Sequence, residues 1–138
     1  MMDPACSCAR SCCRSVRRYV VKGEYPNERK ILDVAVMVPD GKAAAKWYSE
    51  KLGFEVHDEE EHWITAGPHG SETTIHLCEG AAEPGNTGIG LVADNVESTY
   101  RELKSRGVRF TKEPSDQGFG TFAMFSDPYG NEYWLLEG

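Results

Sequence analysis

The sequence predicts an α+β fold of two tandem βαβββ modules, residues 30–81 and 87–138, forming a half-open β-barrel around a cavity. Two observations predict it. From Lys30 onward one pattern runs twice: ILDVAVMVPD, GKAAAKWYSEKLGFEV and strand-like runs ending in TTIHLCEG, then TGIGLVADN, VESTYRELKSRGVRF and strand-like runs ending in NEYWLLEG. Within each copy the apolar period changes from two to 3.6 and back, the signature of strand, helix and strand meander. A unit of about fifty residues that recurs in tandem does not usually bury its apolar face alone. Two such units wrapped together enclose a cavity, where small molecules bind.

In chain order, ILDVAVMV alternates with Leu32, Val34, Val36 and Val38 on one face and Asp33, Ala35 and Met37 on the other. Asp40 is placed to cap a helix and Gly53 to end it in the left-handed conformation. Ala44, Trp47, Tyr48 and Leu52 make its buried stripe. FEVHDEE, HWITAG and TTIHLCE then read as strands, with a turn at Gly67-Pro68-His69-Gly70. Ala82 to Asn86 (AEPGN) reads as the linker between copies. In the second copy Asp94-Asn95-Val96-Glu97 resembles a capping box, Val96, Thr99, Tyr100 and Leu103 are the buried stripe, and Gly107 closes the helix. VRFTKEP, TFAMFSD and EYWLLE follow as strands, with Asp127-Pro128-Tyr129-Gly130-Asn131 as the last turn.

Charge and cysteine content narrow the function. The net charge of −7 is uneven: the first thirty residues hold seven basic against three acidic groups, which leaves −11 on the repeated body. An acidic body repels phosphates, so no nucleic-acid partner is expected. No apolar run reaches the ~18 residues of a membrane span, so no membrane partner is expected either. Residues 1–29 form a Cys/Arg-rich leader, expected to be disordered and dispensable for folding. Its cysteines Cys6, Cys8, Cys12 and Cys13 crowd together without the loop that structural zinc sites fold around the ion. The leader has no apolar h-region of a secretory signal. Cys78 alone lies in the body, which suits a reducing, cytoplasmic setting.

Two stretches carry a resemblance: Val38 through Phe54, with V-x-D-x6-W-Y-x4-G-F, and the DPYGN turn with its following strand. With them, Lys30 to Gly138 resembles the vicinal oxygen chelate superfamily of glyoxalases, bleomycin-resistance proteins, fosfomycin-resistance transferases and extradiol dioxygenases. The resemblance implies the fold above but no single reaction. It also implies four metal-ligand stations, on the first and last strands of each module. Counted from the helix caps and by overlaying IHLCEG on YWLLEG, these are Asp33, His76, Gly88 and Trp134. Gly88 has no donor and the Trp134 N–H cannot ligate. Asp33 and His76 alone fall short of the three ligands a catalytic site keeps, unless Glu132 joins them. No cofactor is therefore expected; a divalent Zn, Ni, Mn or Fe ion is the alternative.

The face turned to the cavity is expected to carry Asp33, Ala35, Met37, Thr74 and His76 from the first module and Gly88, Gly90 and Trp134 from the second. Trp63, with Thr65 two residues on, is a second candidate wall. Core packing is the other reading of both tryptophans. Glycines clear volume and an indole offers a flat wall, which suits an organic ligand with an aromatic part. Asp33 and His76 also form a candidate catalytic pair, a carboxylate orienting an imidazole as general base; a self-satisfied polar pair is the competing reading. His57, His62 and His69 are expected to be exposed bystanders, and the HDEEEH run a solvated edge. The expected function is metal-independent binding of a small molecule by a homodimer of bleomycin-resistance type. The alternative is a metal-dependent lyase, isomerase or dioxygenase.

Overall fold

The computed structural model describes residues 30–60 and 63–138, so the expectations for the 1–29 leader and for His62 lie outside it. The elements are β1 (Asp33–Val38), α1 (Gly41–Leu52), β2 (Glu55–Glu60), β3 (Trp63–Gly67), β4 (Thr74–Glu79), β5 (Gly85–Ala93), α2 (Val96–Ser105), β6 (Arg109–Asp116), β7 (Thr121–Ser126) and β8 (Asn131–Glu137). They build two open four-stranded sheets in the orders β1-β4-β3-β2 and β5-β8-β7-β6. First and last strands of each module pair in parallel, and the hairpins between are antiparallel.

The repeat holds in register. Ala35 lies opposite His76 and Gly90 opposite Trp134, so His76 and Trp134 are equivalent positions, as the overlay of the last strands predicts. The helix signals also hold. The Asp40 carboxylate accepts from the backbone N–H groups of Lys42 and Ala43, and Gly53 ends α1 at φ 70°. Asn95 caps α2 through the Ser98 N–H, and Gly107 follows the last turn at φ 91°. One boundary differs. Gly85 and Asn86, expected in the linker, already pair with Asn131 and Glu132, because β5 starts early and absorbs an irregularity before Gly90.

Both modules share one core. The inward residues of the strands (Val36 and Val38; Ile75 and Leu77; Ala123 and Phe125; Tyr133 and Leu135) pack with Ala44 and Tyr48 of α1 and Val96 and Leu103 of α2. At its centre the Tyr48 hydroxyl donates to Asp127 Oδ2 at 2.6 Å. Its single hydrogen being so used, the Tyr133 hydroxyl, 2.6 Å away, donates to the Tyr48 oxygen. Burial first, and the buried Asp127 charge with it, pushes both phenols far above the ordinary tyrosine range.

Asp127 is buried and fully satisfied: Oδ1 accepts from the Tyr129 and Asn131 N–H groups, and Oδ2 also accepts from Asn131 Nδ2 at 2.8 Å. Asn131 Nδ2 further donates to Met37 O at 3.1 Å, tying the last turn to β1. The DPYGN motif is thus the rivet between modules. Gly130, at φ 89°, is demanded there twice over, since a Cβ would sit 2.6 Å from Pro84 Cβ.

Candidate functional site

Strand alternation decides what the shared core leaves outside. If Val36, Ile64, Ile75 and Leu77 point inward, then Asp33, Ala35 and Met37, Thr74 and His76, and Trp63 and Thr65 point to the opposite face of the first sheet. In the second sheet Tyr133 and Leu135 point inward, so Glu132, Trp134 and Leu136 share the outward face with Gly90, Val92, Phe122 and Met124. The residues expected to line a ligand site therefore lie on an outward face, except Gly88, which falls in the irregular start of β5 at φ 72°. Neither Trp63, which is 46% exposed, nor the half-buried Trp134 belongs to the core.

The first face centres on His76. Trp63 stacks over it at 3.9 Å between ring centroids and 28° between planes. His76 is 7% exposed, and its Nε2 is buried without a hydrogen-bond partner. The general-base pair expected of Asp33 and His76 has no direct hydrogen bond to build on: Asp33 pairs in register with Thr74, one step along the face from His76. Thr65 lies directly opposite His76 and His57 opposite Thr65, so His57 extends the same row to the edge strand β2. His57 is exposed, as expected for that edge, and the His69 ring pairs with Glu55 in the solvent.

The second face carries the equivalent pair. Trp134 meets Phe122 edge to face, with centroids 5.8 Å apart. Phe122 stands to Trp134 as Trp63 stands to His76, because Met124 lies opposite Trp134 and Thr65 opposite His76. The Trp134 indole N–H donates to Asn86 Oδ1 at 2.8 Å, and the same oxygen accepts from the Gly88 N–H. The irregular start of β5 thus fixes the orientation of this indole. Lys112 sits over the Phe122 ring, 5.8 Å from its centroid. Phe122, Met124, Lys112 and Asn86 were not expected at the site. Overlaying HWITAG on TFAMFS would have found Phe122 and Met124; only the tertiary contacts reveal Asn86 and Lys112.

Among the described residues no three His, Cys, Asp or Glu side chains come together. The Glu132 carboxylate, the third ligand expected if a metal binds, instead accepts from the Thr111 hydroxyl at 3.0 Å. His76 keeps its Nε2 buried. Cys78, a free thiol, lies beside Met37 in register on the outward face.

Clefts of about 390, 500 and 240 Å3 indent the described residues elsewhere. Gly90 and Thr74 reach the first and Ala35 and Met37 the third, but His76, Trp63 and Trp134 line none of them. Both aromatic pairs thus lie outside these clefts in the single chain. No described helix is long and apolar enough to cross a membrane.

Residues 30–135 match the sequence profile of the Glyoxalase/Bleomycin resistance protein/Dioxygenase superfamily. The uncharacterized protein YetH of Bacillus subtilis strain 168 is 31% identical over 118 residues, spanning 79% of this chain and 98% of YetH. A superfamily member from Sphaerobacter thermophilus DSM 20745 superposes with a TM-score of 0.72 at 31% identity, over 79% of this chain and 97% of its own. TnmS3, an antibiotic binding protein from Streptomyces sp. CB03234, superposes at 0.70 with 26% identity, over 82% and 98%. The match to the profile covers most of the chain and coincides with the doubled βαβββ register, and this protein belongs to the Glyoxalase/Bleomycin resistance protein/Dioxygenase superfamily.

Proposed function

We propose that this protein binds a planar aromatic small molecule without a metal, in a site that a second copy of the chain completes. The observation that carries the reading is the matched pair of aromatic pads, Trp63–His76 and Phe122–Trp134, at equivalent positions of the two outward faces. Aromatic faces attract flat ligands through area burial and stacking, and two pads facing one another across an interface would sandwich one. Trp63 and Val92, 46% and 72% exposed, leave large apolar side chains on both outward faces, which a second copy would cover. The similarity to an antibiotic binding protein points the same way.

Titration with a flat polycyclic aromatic should quench tryptophan emission, and Trp134→Ala should abolish the effect. A broad screen of such compounds that gives neither quenching nor a thermal shift would end the reading. The second reading, a metal-dependent lyase, isomerase or dioxygenase, keeps Asp33, His76 and Glu132 as its ligands. Elemental analysis separates the two: stoichiometric Zn, Ni, Mn or Fe that disappears in His76→Ala would favour the enzyme.

A further inference from the structure

The two pads are equivalent in position but differ in how they are held. Trp134 is pinned from two sides, by its hydrogen bond to Asn86 and by the edge-on Phe122 ring. Trp63 is 46% exposed and opens β3, opposite the point where the β2–β3 pairing shifts register between Asp58 and Glu60. Beneath its ring His76 keeps a buried nitrogen with no partner. Folding gains nothing from an unpaired buried nitrogen, since a buried polar atom left unpaired carries its full desolvation penalty. An apolar residue at position 76 would avoid that penalty.

Resting on the binding reading above, we propose that Trp63 is a displaceable cover. The ligand is a hydroxylated aromatic ring system that enters when the Trp63 indole swings aside and meets His76 edge-on, its hydroxyl in the imidazole plane against Nε2. Trp63, stacked at 3.9 Å and 28°, covers the face of the His76 ring, whereas a hydrogen bond to Nε2 runs along the plane of that ring. A ring hydroxyl both donates and accepts, so it satisfies Nε2 in either imidazole tautomer. A carboxylate or sulfate suits the face poorly, because Asp33 and Glu55 share it and Glu132 lies on the outward face of the other sheet. Coulomb repulsion with those carboxylates would offset the hydrogen bond. Trp63 is then a specificity-determining residue: it covers His76 until a ligand able to pair with Nε2 displaces it.

The test is calorimetric titration of the full chain with 1-naphthol and with 1-methylnaphthalene, which are near-isosteres. The wild-type chain should bind 1-naphthol about tenfold or more tighter, the worth of a buried nitrogen gaining its partner. His76→Phe, which retains a flat ring and removes Nε2, should bind both probes alike by weakening 1-naphthol alone. Trp63→Ala should bind both probes more tightly, since no indole has to leave. Equal binding of the two probes by the wild-type chain, or a preference that survives in His76→Phe, overturns the proposal and leaves the pads as a plain aromatic site. Binding of neither probe removes the underlying reading and this one together. The two-probe comparison on the wild-type chain decides the matter even where a variant fails to fold.

Discussion

At the scale of single residues, Tyr48 and Asp127 carry the largest electrostatic commitment in the fold. Tyr48 supplies one of four hydrogen bonds to a buried carboxylate, and no water reaches Asp127 to replace it. Tyr48→Phe should therefore destabilise the chain by about 1–3 kcal/mol in a denaturant titration, the penalty of an under-satisfied buried acceptor. The raised pKa of Tyr48 and Tyr133 has its own consequence. A phenol whose folded pKa exceeds its unfolded value contributes stability that is complete below the unfolded pKa, about 10, and is lost as pH rises beyond it. Stability should hold up to about pH 10 and then fall by about 1.4 kcal/mol per pH unit for each buried tyrosine, with a shallower fall in Tyr48→Phe. Melting temperatures between pH 8 and 11.5 measure both, and an equal slope in the two proteins would contradict the assignment.

At the scale of elements, each module pins its helix to its last strand in the same way. Glu79 Oε1 accepts from the Gly41 N–H at 2.8 Å, and Glu137 Oε1 accepts from the Val96 N–H at 3.1 Å. Both glutamates end the repeated strands IHLCEG and YWLLEG, so the equivalence was visible in the sequence while its purpose was not. A strand-end carboxylate facing the N-terminus of a helix satisfies one of its orphan donors and complements its dipole. Glu79→Ala and Glu137→Ala should each cost about 1 kcal/mol, as a lost N-cap does. The two losses should add in the double variant, because the sites lie in different modules. A strongly non-additive double variant, by chemical denaturation, would show that the caps communicate through the shared core.

At the scale of the molecule, one core serves both modules and leaves the Trp63–His76 and Phe122–Trp134 faces outward. If a second copy covers those faces, the chain of 15.3 kDa should sediment at about twice that mass. Val92→Glu, which adds charge at a residue 72% exposed on the outward face, should shift it toward the single chain. A wild-type chain that sediments as a monomer at micromolar concentration would remove the proposed closure.

What the sequence determined by itself was local and periodic. Caps at Asp40 and Asn95, terminators at Gly53 and Gly107 and the alternation of each strand are set by short-range sterics and hydrogen bonding. The repeat then carried the equivalence of His76 with Trp134 across the chain. The loss of donors at Gly88 and Trp134 was legible for the same reason, since residue identity alone decides what a position can ligate. Tertiary structure decided what depends on neighbours distant in sequence. It stacked Trp63 on His76, left Nε2 without a partner and kept Asp33 a register step away. It also turned Asn86 from linker into the partner of Trp134. Strand order, register and the choice of shared core fix these contacts, and none of them has a signature within any one segment of the chain.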